Sequence, residues 1–119
     1  LSSAEARGLM QIIAPTGQEI AEQLKVKGIR DSDFFRPTVS IQFGTFYLSS
    51  LLQGVNGNRT LALIGYNAGP GYAQSLFQQF GGDIDNLYLS IEIKETQDYI
   101  DYTYSTYAMY RLLYGSKIF

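Results

Sequence analysis

Acid–base chemistry in this chain can be carried only by carboxylates, tyrosines, lysines, arginines, hydroxyls and side-chain amides, because its 119 residues include no histidine and no cysteine. That composition excludes a Ser-His-Asp triad, a cysteine nucleophile, a disulfide and any Cys/His metal centre. Tyr66 and Asn67 stand just before Gly69-Pro70-Gly71, a turn that presents side chains rather than packing them. Gln11 follows the apolar pair Leu9-Met10 and carries an amide that can both donate and accept. Glu92 and Glu95 are separated by a single helical turn at a helix start, where acids compensate the dipole more readily than they form a catalytic pair. Asp83-Ile84-Asp85-Asn86 opens like a calcium loop, but Tyr88 occupies the position that requires glycine and Lys94 closes it. There is no P-loop, and Asn58-Arg59-Thr60 is explained by helix capping.

The elements that must position these residues are helices punctuated by glycine, with no sustained strand alternation. Pro15 opens an amphipathic stretch to about Val26, with Ile20, Ala21 and Leu24 on one face and Gly28 as its stop. Pro37 and Thr38 start a second helix, with Ile41, Tyr47, Leu48, Leu51 and Leu52 at helical spacing as far as Gly54. Asn58 or Thr60 caps a short third helix, Leu61-Ala62-Leu63-Ile64, apolar enough to require burial. A fourth runs from about Tyr72 to Phe80, and a last from Glu92 to Leu113. On that last helix Tyr99, Tyr102, Tyr107, Tyr110 and Tyr114 recur in steps that predict packing against the other helices. The class expected is mainly α, in one domain of about five to six helices.

A net charge of −2 and a sequence pI near 4.9 leave no basic stripe for a phosphate backbone, so no nucleic-acid partner is expected. No stretch is long and apolar enough for a membrane span. Leu1-Ser2-Ser3 has no initiator Met and no signal-peptide character, and reads as the start of a fragment.

Three segments carry a resemblance. Ser2-Ser3-Ala4-Glu5-Ala6-Arg7-Gly8-Leu9-Met10-Gln11, Gly65-Tyr66-Asn67-Ala68-Gly69-Pro70-Gly71, and Ile91 through Glu95-Thr96 to Tyr99 resemble, in order and spacing, the consecutive motifs of soluble-type lytic transglycosylases. The stretch from Phe35-Arg36-Pro37 to Leu51 resembles that family's connecting helix, so the likeness covers nearly the whole chain. It implies a lysozyme-like helical domain around a glycan cleft, a bacterial cell-envelope location, peptidoglycan strands as substrate, a monomer, and no metal or cofactor. The chemistry implied is cleavage of the β-1,4 bond between N-acetylmuramic acid and N-acetylglucosamine without water, leaving a 1,6-anhydro ring, with one glutamate serving as acid and then base.

Carried over residue by residue, Tyr66 matches a tyrosine whose hydroxyl orients the catalytic acid. Ser2, Gln11, Asn67 and Glu95 match residues that contact the glycan. The acid itself belongs to a Glu-Ser pair upstream of the serine matching Ser2, so residues 1–119 read as an N-terminally incomplete domain; Glu5 matches a small residue and does not replace it. Ile13, Ser40 and Gln97 stand where relatives commonly carry Met, Asn and Arg. Two alternatives stay open: a glycan-binding module that has lost the acid, and a hydrolase of the same fold that delivers water.

Overall fold

Among the described residues six α-helices follow one another: α1 Ala14–Leu24, α2 Pro37–Gly54, α3 Arg59–Ala68, α4 Pro70–Phe80, α5 Ile84–Leu89 and α6 Lys94–Ile118, with a 3-10 turn at Asp31–Phe35. The computed structural model describes residues 6, 8, 10–81 and 83–118, and among them there is no β-strand. The mainly-α expectation holds. None of the described helices is long and apolar enough to cross a membrane. The chain divides into two compact units, Leu1–Ser50 and Leu51–Phe119, with the boundary inside α2.

The first unit is built on Ile12, Ile20, Ala21, Phe34 and Phe43, with Met10, Leu24, Val39, Phe46 and Tyr47 packed around them. Phe34 and Phe43 meet edge to face at 5.4 Å, the geometry that aromatic quadrupoles favour. α1 stops earlier than Gly28 predicts: Lys25 adopts φ 59° and its N–H reaches the carbonyls of Ala21 and Glu22, while the Val26 N–H returns to Ala21 at 2.9 Å. Those bonds satisfy the last carbonyls of the helix without a glycine. The polar segment 30–33 is ordered as well, because the Asp33 carboxylate accepts from the Arg30 N–H at 2.8 Å and lies between the guanidinium groups of Arg30 and Arg36. On α2 the buried positions are Ser40, Phe43, Gly44 and Leu51, whereas Ile41 is 51% exposed, contrary to its reading as a packed position.

In the second unit α3 is buried as its composition requires, through Leu61, Ala62, Ile64 and Gly65. Asn58 caps it, its side chain accepting from the Leu61 N–H at 3.0 Å. α4 begins at Pro70 rather than Tyr72, since proline at a first-turn position loses no hydrogen bond. α5 falls where no helix is expected and is capped by Asp83, which accepts from Asn86 N–H at 3.2 Å.

α6 corrects the largest expectation. It packs on α3 along Thr96 and Ile100, and Thr60 shares a 3.0 Å hydrogen bond with the Tyr104 hydroxyl. Tyr102, just before that point, is already 73% exposed, and beyond it Leu112 is 80% exposed and Tyr107, Tyr110 and Tyr114 are exposed too. The reason is length. At about 1.5 Å per residue, the ten residues of α3 span about 15 Å and the 25 of α6 about 37 Å, so α3 can cover less than half of it.

Candidate active site

In the second unit the site grows from the last turn of α3. The buried stripe Leu61, Ala62 and Ile64 fixes the rotation of the helix, which leaves Tyr66 and Asn67 half-buried at its end. The chain then reverses in one residue. Gly69 has φ 101°, a conformation that side chains disfavour, its N–H closes α3 on Gly65 at 2.9 Å, and Pro70 starts α4 at once. The turn therefore offers Tyr66 and Asn67 a rigid base.

Onto this base comes the segment that leads into α6. Glu92 N–H donates to the Tyr72 hydroxyl of α4 at 3.3 Å, and Gln97 Nε2 donates to the Ile91 carbonyl at 2.9 Å, bracing the loop from within. Thr96, with no exposed surface, donates its hydroxyl to Asn67 Oδ1 at 2.8 Å. Residues far apart in sequence, Asn67 and Glu95-Thr96, are thereby brought together, with the Glu95 carboxylate exposed in the first turn of α6. Further along the same turn and the next, Tyr99 is half-buried, and burial pushes its hydroxyl above the ordinary 10.0, with the hydrogen bond to Thr103 opposing.

The first turns of α6 are also clamped from the side. The Tyr88 hydroxyl on α5 donates to both carboxylate oxygens of Asp101, at 2.8 and 3.0 Å, and Lys94 pairs with Asp98. The hydrogen bond to Asp101 holds Tyr88 above its ordinary 10.0, and the one to Asp98 raises Lys94 above 10.5.

Gln11 belongs to the first unit and closes a tight turn. Its backbone N–H and its side-chain Nε2 both donate to the Gly8 carbonyl, at 3.2 and 2.9 Å, and its own φ is 52°. Ser40, fully buried on α2, accepts from the Met10 N–H at 2.9 Å and anchors the turn. Gly8 has φ 73°, and a Cβ there would stand 2.0 Å from the Phe34 carbonyl oxygen, so only glycine fits. The Gln11 amide consequently has its donor end engaged and its Oε1 left to accept. Met10 packs on the core of this unit. Ser2, Glu5 and Leu9 lie outside the described residues.

Sequence reasoning missed Thr96 and Ser40 as partners. For Thr96 the signal was available: a hydroxyl one helical turn before the apolar Ile100 marks a polar side chain on a buried face, which must find a bond. For Ser40 nothing in the spacing distinguishes a turn anchor from an ordinary helix serine.

Comparison with known proteins places this arrangement in context. The Transglycosylase SLT domain profile matches residues 1–89. The soluble lytic murein transglycosylase of Salmonella typhimurium is 32% identical over 119 residues, covering 98% of this chain and 18% of its own length. The soluble lytic murein transglycosylase of Escherichia coli K12 is 31% identical with the same coverage. The chain thus spans less than a fifth of the length of these curated relatives. No solved structure matches it.

Proposed function

The chain belongs to the Transglycosylase SLT domain family, and on that premise we propose that it is the glycan-holding part of a peptidoglycan lytic transglycosylase of the bacterial envelope. The observation that carries the reading is the family match over residues 1–89. The hydrogen bond that joins two of the motifs, Thr96 to Asn67, is what a working groove requires and supports it. Residues 1–119 are read as part of one catalytic domain whose acid stands on a segment ahead of Ser2.

The reaction balances on one carboxyl group. That glutamic acid gives its proton to the glycosidic oxygen as the C1–O bond breaks, and the leaving sugar departs as an alcohol. The acetamido group of the substrate shields the positive charge that develops at C1. The carboxylate then removes the C6 hydroxyl proton as that oxygen bonds to C1, which closes the anhydro ring and restores the acid. Tyr66 is assigned to orient the carboxyl group, and Ser2, Gln11, Asn67 and Glu95 to hold sugar polar groups.

The test uses a chain extended upstream to include the Glu-Ser pair, incubated with purified peptidoglycan. Mass spectrometry should find muropeptides lighter by one water than the hydrolysis products. Ordinary reducing ends would make the protein a hydrolase, and binding without release a glycan-binding module. The 119-residue chain alone should release nothing; release by it would hand the chemistry to an acid it contains, Glu5 or Glu95. In the extended chain Tyr66→Phe should keep the fold and lose roughly ten- to a thousandfold in rate, the worth of one positioned hydrogen bond in a dry site.

A further inference from the structure

Among the described residues, the side chain that bonds Asn67 is Thr96, and it approaches from the protein interior. A hydroxyl with no exposed surface has no water to bond, so its proton must go to a protein acceptor. In this geometry that acceptor is Asn67 Oδ1 at 2.8 Å. A primary amide has two unlike ends, an oxygen that only accepts and a nitrogen that only donates, exchanged by a half-turn of the side chain. Turning Asn67 over would set Nδ2 against the hydroxyl and strand the hydroxyl proton. The amide is therefore keyed from behind, and the end that remains for the half-buried, solvent-reaching side of Asn67 is Nδ2.

We propose that Thr96 is a positioning residue that fixes the polarity of Asn67, so that this point of the groove presents donors only and selects N-acetylated over de-N-acetylated sugars. An acetamido carbonyl oxygen accepts from Nδ2. The ammonium group of a de-N-acetylated glucosamine cannot accept, and it brings a donor and a positive charge against the Nδ2 hydrogens. The inference rests on the glycan reading above and adds a discrimination in binding, separate from the part the acetamido group plays in the reaction. It also differs from a packing role: a threonine that only fills space would affect all ligands alike.

The experiment titrates N-acetylglucosamine oligomers, and separately their fully de-N-acetylated counterparts, into the 119-residue chain while following the Asn67 side-chain amide signals by NMR. The wild-type chain should bind the acetylated oligomer more tightly, with the Asn67 NH2 pair shifting. Thr96→Val, which keeps the shape and removes the hydroxyl, should reduce the preference about two- to tenfold, the worth of one neutral hydrogen bond. Thr96→Ser should restore it. Asn67→Asp, which still accepts from Thr96 but has no donor, should lose the preference in a chain whose core is untouched, and so serves if Thr96→Val does not fold. An unchanged preference in Thr96→Val, or failure of Thr96→Ser to rescue, overturns the keying and leaves the glycan reading standing. Absence of binding by the wild-type chain to either oligomer overturns both.

Discussion

Gln11 and Asn67 are both primary amides at motif turns, yet they are held by opposite ends. Gln11 commits its donor to the Gly8 carbonyl three residues back, an exposed bond inside one turn. Asn67 commits its acceptor to a buried hydroxyl 29 residues ahead. The Gln11 amide is held within its own turn; the Asn67 amide depends on a distant helix arriving in register.

The Gln11 turn is most sensitive at Gly8. Gly8→Val imposes a Cβ 2.0 Å from the Phe34 carbonyl at φ 73°. The expected loss, from strained backbone and overpacking, is about 3 kcal/mol or more in chemical denaturation. A loss below about 1 kcal/mol would mean that the turn adapts and does not specify the position of Gln11. Ser40→Ala should cost about 1–3 kcal/mol, because it leaves the Met10 N–H without its partner while keeping the helix. Hydrogen exchange of the Met10 amide would localise that loss to the turn. The smaller effects separate bond from backbone at Gln11. Gln11→Ala keeps the left-handed backbone and loses the side-chain bond, for about 0.5–1 kcal/mol. Gln11→Gly loses the same bond but relieves a conformation that costs a non-glycine residue about 1 kcal/mol, so it should be close to neutral. Equal losses in the two variants would show that the backbone there is unstrained.

The slightest effect concerns the clamp on the first turns of α6. Tyr88 and Lys94 hold their protons more tightly in the folded chain than at their ordinary 10.0 and 10.5. Their contribution is fully present below those values and is lost as pH rises through the folded-state titrations. A thermal-unfolding series across that alkaline range should fall more steeply for wild type than for Asp101→Ala, which removes the acceptor of Tyr88. Both groups are exposed, so the difference should be small and should shrink with salt.

Much of this was legible in the residues themselves. The burial of α3, its Asn58 cap and the presentation of Tyr66 and Asn67 follow from a short apolar run ending at Gly69-Pro70-Gly71. What periodicity cannot reveal is whether a neighbour is long enough to cover a helix. The tyrosines of α6 repeat like a core stripe, but α3 ends before reaching Tyr110 and Tyr114, whose rings are left to each other at 5.7 Å. α5 was hidden for a different reason: six residues give little periodicity, and Asp83 reads equally as a loop acid or as a cap. Ile41 fell on the exposed side because Ser40, a polar residue, took the buried place to hold the Met10 amide.

The single-residue reversal at Gly69 has a consequence for the order in which the molecule assembles. α3 and α4 are adjacent in the chain and packed together, so closing them costs almost no chain entropy, and they should form early. The hydrogen bonds that attach α6, across 29 residues at Thr96 and 44 at Tyr104, close much larger loops and belong to the end of folding. The same bonds should then be the first released in partial opening of the native chain, so that the hairpin outlives the polarity of Asn67. The orientation of the Asn67 amide is thus acquired last.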